Sequence, residues 1–315
     1  MFFGKIKKYS LYIVFSFFLT SNTFLVGQAF PFKKTLVILL LIVTVVSSFF
    51  QKEELKKVIY YFIYFNNDKT IKKISGGLSL LAWVSFTSSL FFLNVDSLWL
   101  ARGFFLFFIA SVIVSGVFIF YDLERGGHVI FNKLKFLFFS GIPVLYFVTS
   151  AYAASYFLQF SNMDISDSPL LELGWKSAFF AICLFVVLQP ISYWVFLYVS
   201  NKFKDHKVMT SLGLLLFTSL LSLAILRWAD NIMVLALDWA TRSEWHTFAS
   251  CGTLKFSVPS ERYFGLNSDK YTVYFSNRSG KWGFDEIKCV KDDNDQDSFK
   301  RIPVSQSEMP KWFNE

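Results

Sequence analysis

The sequence predicts a mainly α protein: a polytopic helical membrane bundle of about seven transmembrane helices, followed by a small C-terminal β-rich extracytoplasmic domain. Three observations lead there. Hydrophobic residues make up 54% of the 315-residue chain and aromatics 20%, with 41 Phe and a mean hydropathy of +0.45. A soluble core lacks the polar surface to hide so much apolar material. The apolar residues fall into seven runs near bilayer-crossing length, at 11–30, 35–50, 78–93, 98–121, 136–160, 178–199 and 208–228. After about Arg242 the runs stop and an alternating, turn-rich pattern begins.

The net charge of +8 belongs to the membrane part. Residues 1–240 hold 20 Lys+Arg and 12 Asp+Glu, whereas residues 241–315 hold 11 of each. Short basic clusters between apolar runs form the positive-inside pattern, which excludes nucleic acid as the partner and leaves the lipid bilayer. With the amino terminus cytoplasmic, seven crossings put 15 of those 20 cations inside, leaving Lys33, Lys34, Arg102, Lys176 and Arg227 outside. The carboxyl terminus is then extracytoplasmic, and a bacterial inner membrane with a periplasmic tail is the expected location.

The first run, 11–30, follows Lys5, Lys7 and Lys8, and Gly27-Gln28-Ala29 offers a signal-peptide cleavage alternative. The second, 35–50, is short but uncharged. Beyond it, charges flank Ile59, Tyr60, Phe62, Ile63 and Phe65, which suits a connector lying along the cytoplasmic face. The third and fourth runs are separated only by Asn94-Val95-Asp96-Ser97, a helical hairpin with its turn outside. Arg102 sits one turn into the fourth run, where it can pair with Asp96 or form part of a polar intramembrane site.

Residues 122–135 read as a basic inner loop containing His128. The fifth run, 136–160, holds Pro143, expected to bend it, and a small-residue face at Ser150, Ala151, Ala154 and Ser155 that lets helices approach closely. Residues 161–176 form the longest outer loop, with Asp164, Asp167 and Glu172 as an outer acidic patch. The sixth run carries Gln189-Pro190 near its middle. A proline frees a carbonyl, and a neighbouring Gln can satisfy it or line a polar cavity. The seventh run leaves the basic loop around Lys202 and Lys207 and carries the chain outward.

Residues 229–250 read as an interfacial connector, with Trp228, Trp239 and Trp245 as anchors at the outer surface. In the domain expected at 251–315, strands are predicted at 253–258, 271–275 and 282–290, with a turn at 276–280. So small a domain needs a staple. Cys251 and Cys289 bracket the predicted strands, and an oxidising compartment permits their disulfide.

No phosphate loop, G-x-S-x-G or H-E-x-x-H pattern is present. The three histidines, His128, His206 and His246, fall on different sides of the predicted membrane, so no shared metal centre and no cofactor are expected. Residues 292–297 have the composition of a calcium loop without its Gly or closing Glu, and read as a solvated acidic linker. Asn277-Arg278-Ser279 matches a glycosylation acceptor.

Three function classes remain open. The leading one is a non-enzymatic interaction protein, an accessory subunit or immunity-type factor that presents its C-terminal domain to a protein partner. The alternative is a transporter or channel with a polar site near Gln189-Pro190. A membrane enzyme using Asp164, Asp167 and Glu172 as acids or metal ligands is the third.

Overall fold

The computed structural model describes residues 2–29, 31–63, 70–126, 129–203, 205–267, 269–291 and 296–309. Nine α-helices are followed by six strands among the described residues. The helices are α1 (Phe2–Leu25), α2 (Lys33–Phe50), α3 (Lys52–Ile63), α4 (Thr70–Asn94), α5 (Leu98–Arg125), α6 (Val129–Ser161), α7 (Pro169–Lys202), α8 (His206–Arg227) and α9 (Ala229–Glu244). Among the described residues, six helical stretches are long and apolar enough to cross a membrane: Lys33–Phe50, Thr70–Asn94, Leu98–Arg125, Phe139–Ser161, Pro169–Lys202 and His206–Arg227. A shorter apolar stretch, Ser10–Leu25, lies in α1. Large apolar side chains such as Leu39, Leu106, Phe147 and Leu223 stand 54–74% exposed, as a lipid-facing surface requires. The chain is a multi-pass membrane protein.

Two compact units divide the chain, residues 1–134 with 189–220, and residues 135–188 with 221–315, so α6, α7 and α8 each contribute to both. In the first unit α4 and α5 form the expected hairpin. Its turn needs a left-handed residue, and Asp96 supplies it at φ 64°. Small residues let these helices close: Ser79, Ala82 and Ser89 of α4 and Ala101, Val112 and Ser115 of α5 are all buried. Ser89 Oγ donates to the Ala101 carbonyl at 2.9 Å. Phe108, fully buried, fills the space beside Trp83 and Phe86.

Two segments expected as loops are largely helical. α5 extends to Arg125 and α6 begins at Val129. The outer loop ends at Ser168, because Pro169 occupies the first position of α7, where its missing N–H costs nothing. Pro143 and Pro190 both lie inside continuous helices.

In the second unit, strands β1 (Ala249–Cys251) and β2 (Leu254–Phe256) form a hairpin, and β3 (Glu261–Asn267), β4 (Lys270–Arg278), β5 (Lys281–Lys291) and β6 (Asp297–Glu308) form an antiparallel meander in that order. Alternation gives the meander two faces. One carries Phe264, Tyr274, Trp282 and Phe284, which pack on Phe157 of α6, Trp175 of α7, Leu237 of α9 and Trp245 in a single core. Ring centroids are 5.6 Å apart for Phe157 and Phe284 and 5.2 Å for Phe160 and Trp282. The sheet therefore has no core separate from the helices on this side. The opposite face carries Tyr263, Val273 and Ile287, which the β1–β2 hairpin covers through Ala249 and Cys251.

Strands β3 and β6 were not foreseen. β6 contains Pro303, normally a sign against a strand. Here it sits on an edge strand, as the partner of Asp285 beside a register shift, the positions where a strand tolerates proline.

Candidate functional site

The most polar buried cluster of the first unit joins α4, α5 and α8. His206 opens α8 at 1% exposure, and its Nε2 lies 2.8 Å from Ser75 Oγ. Ser115 donates to the Ser75 carbonyl at 2.9 Å and lies 3.1 Å from Thr210 Oγ1. Beside it, Lys207 Nζ pairs with Asp122 at 3.1 Å, with the two side chains only 6% and 14% exposed. Helix α3 covers the cluster: Tyr61 donates to the Asp205 carbonyl at 2.8 Å, and the Phe62 carbonyl occupies the space a Cβ at Gly76 would need. His206 Nδ1 and Ser79 Oγ are buried without a partner among the described residues.

A serine on a histidine nitrogen is also a nucleophile–base contact. Ser75, however, is 2% exposed and lies within a helix whose N–H groups are already used, so no oxyanion donors face it. The contact fastens the start of α8 to α4.

The predicted polar intramembrane residues are not brought together as one site. Gln189 Nε2 donates to Ser219 Oγ at 2.6 Å, Ser192 lies 2.7 Å from Thr218 Oγ1, and Ser192 Oγ donates to the Gln189 carbonyl at 2.8 Å. Ser192 thus bonds the carbonyl of the residue before Pro190, while Gln189 links α7 to α8; its Oε1 is buried without a partner among the described residues. Arg102 is exposed, and the expected pairing with Asp96 is replaced by Lys34, 2.9 Å from the Asp96 carboxylate. Lys34 belongs to the first turn of α2, which thus reaches the hairpin turn.

The outer acidic residues each serve local structure. Asp164 caps a short 3-10 turn, Ile165–Asp167, accepting from Ser166 N at 3.0 Å and Ser166 Oγ at 2.8 Å. These bonds hold its carboxyl below the usual range. Asp167 belongs to that turn, and Glu172 accepts from Lys176 at 2.5 Å. The carboxylate that caps α7 is a different one: Glu244 accepts from Ser168 Oγ at 2.5 Å and from the backbone N–H of Leu170 and Leu171, each at 3.2 Å. No group of three or more His, Cys, Asp or Glu able to hold a metal occurs among the described residues. His128 and residues 292–295 lie outside them.

Trp228 and Trp239 stand 57% and 54% exposed, but Trp245 is 5% exposed, its Nε1 donating to Ser168 Oγ at 3.0 Å. It is a core residue rather than a surface anchor.

The sheet holds the two most constrained features of the second unit. Cys251 and Cys289 are joined by a disulfide with a Cα separation of 5.3 Å, tying the β1–β2 hairpin to β5. Farther along the same face lies an ionic cluster. Glu261 and Asp285, with side chains 2% and 1% exposed, are each held by Arg278 at 2.5 Å, and Arg301 reaches both. Tyr263 donates to Glu261 at 2.7 Å. Burial pushes the Glu261 carboxyl up, but the hydrogen bonds of Arg301 and Tyr263 and the charges of both arginines outweigh it and leave it below its ordinary value. Burial and the bond to Glu261 push the Tyr263 hydroxyl well up.

Both clusters escaped the sequence reading, because each joins positions far apart in the chain. No protein-family model, curated protein or solved structure matches the chain.

Proposed function

We propose that the chain is a non-enzymatic interaction protein, an accessory subunit or immunity-type factor, in which residues 1–228 anchor residues 251–315 through the connector 229–250. The amino terminus is cytoplasmic and the sheet lies outside, in a bacterial inner membrane. The observation that carries this is the combination of a disulfide-tied sheet with an apolar outward face. The Cys251–Cys289 bond suits an oxidising compartment. On the face turned away from the helices, Phe299 stacks on Phe256 at 4.7 Å and remains 39% exposed, and Leu254 of the hairpin is 38% exposed. Aromatic side chains such as Phe299 are enriched at the cores of protein interfaces. The shared core with α6, α7 and α9 limits the motion of that face and with it the ordering cost of binding.

A photo-crosslinking residue in place of Leu254, activated in intact cells, is the test. One discrete protein adduct, lost when Phe299→Glu is added, is expected. The absence of a protein adduct at Leu254 under conditions where the chain is folded would contradict the proposal.

A transport path at Gln189 is the second reading, favoured by the unpartnered Oε1. Gln189→Ala is expected to leave the proteoliposome flux of any solute unchanged if Gln189 only joins helices. A specific loss of flux in folded protein would favour transport.

A further inference from the structure

Three lysines stand in one cross-strand row: Lys270 of β4 is the register partner of Lys288 of β5, which is the register partner of Lys300 of β6. Like charges placed directly opposite one another destabilise a sheet, so packing alone gives no reason for such a row. One carboxylate is seen paired with it among the described residues. Glu286, in the next row, accepts Lys270 at 2.9 Å and Lys288 at 3.2 Å. Lys300 has no acidic partner among the described residues, so within them the row sets three cations against one bonded carboxylate.

The direction of the row follows from alternation. Lys288 shares its face of β5 with Phe284 and Glu286, and Phe284 packs into the core over the ends of α6 and α7. The lysines therefore project toward the side of the sheet on which the helices stand. They lie beyond the helix ends: Lys288 is four residues along the strand from Phe284, about 13 Å away. The step between is marked by Asn162, which directly follows α6 and donates to Glu286 at 2.9 Å. At that end of the helices Leu173 and Trp239 stand 58% and 54% exposed, the aromatic and aliphatic exposure expected at a bilayer surface.

From this placement we propose that Lys270, Lys288 and Lys300 form a docking row for the phosphate groups of anionic phospholipids in the leaflet beneath the sheet. Charge complementarity selects the occupant. A lysine ammonium is a compact point charge suited to phosphate, and basic residues near an anionic leaflet gain from its surface potential. The row then fixes the height and tilt of the sheet on the membrane and leaves the opposite face, with Leu254 and Phe299, turned outward. The acidic residues Asp292, Asp293 and Asp295 lie outside the described residues, and the test includes them because it uses the full chain.

The test is amine acylation of the full-length protein in lipid nanodiscs, quantified residue by residue by mass spectrometry. Discs of phosphatidylcholine alone are compared with discs containing about 30% phosphatidylglycerol, a content that gives a substantial negative surface potential. Lys255 on the hairpin and Lys281 at the start of β5, both exposed, are internal references. The three row lysines are expected to react about threefold more slowly in anionic discs, relative to the references. About 0.5 M salt should restore the rate by screening. Equal rates in the two lipids would overturn the proposal. So would protection found in native membranes but in neither disc, which would assign the row to a protein. Neither result depends on a partner at Leu254, so failure here is distinct from failure of the interaction proposal.

Discussion

Arg301 grips Glu261 with both ends of its guanidinium, Nη1 to Oε1 at 2.8 Å and Nη2 to Oε2 at 2.9 Å, although the two residues sit on β6 and β3, the opposite edge strands of the sheet. The pair spans the face of the meander that the β1–β2 hairpin covers only in part. Glu261 is buried, so its charge depends on this bond and on Arg278.

Removing Arg301 leaves the buried Glu261 charge to Arg278 alone. Arg301→Ala is expected to destabilise the second unit by about 3 kcal/mol, and Arg301→Lys by less, since an ammonium cannot make the bidentate contact. Thermal unfolding in detergent, followed by tryptophan fluorescence from Trp245 and Trp282, reads this directly.

Acid should weaken the same unit. The Glu261 and Glu286 carboxyls are both held below their ordinary value of 4.5. Their stabilising contribution is therefore complete above pH 4.5 and is lost as the pH falls through the depressed folded values. A fluorescence melt across pH 6 to about 3 should show this fall, and Glu261→Gln should flatten it. A stability that rises on acidification would contradict the assignment.

The disulfide closes a sequence separation of 38 residues. In the chain-entropy model such a closure contributes about 4 kcal/mol, so a Cys251→Ser/Cys289→Ser variant should unfold the sheet at a clearly lower temperature. Limited proteolysis of the tail, compared with and without reductant, is the simplest check.

Two adjacent glycines in α4 should respond oppositely to alanine. A Cβ at Gly76 collides with the Phe62 carbonyl, whereas one at Gly77 meets nothing within 4 Å. Gly77→Ala is expected to stabilise by about 0.5–1 kcal/mol through helix propensity, and Gly76→Ala to displace α3 and destabilise. Melting temperatures of the two variants in one detergent decide it.

Long apolar runs made the helices legible, because a crossing is a local property of about 20 residues. The hairpin turn at Asn94-Val95-Asp96-Ser97 and the pairing of Cys251 with Cys289 were legible for a similar reason: few alternatives existed. The partner of Asp96 was not. Lys34 lies 62 positions away, and nothing local distinguishes it from the nearer Arg102. Trp245 looked like an interface anchor because tryptophan favours membrane surfaces, but its indole N–H finds Ser168, 77 residues earlier. β6 was hidden by Pro303, which only its edge position tolerates. The ionic cluster and the Ser75–His206 contact depend on how distant elements meet, and periodicity within one segment carries no record of that.

The central claim is that the C-terminal sheet lies outside the cytoplasm with its disulfide intact. In a Cys183→Ser background, which removes the one free cysteine among the described residues, intact cells treated with a membrane-impermeant thiol reagent provide the direct measurement. Labelling of Cys251 and Cys289 only after prior reduction is the expected result. Labelling that needs lysis but no reduction would place the tail inside, invert the topology, and remove the surface on which the proposed interaction depends.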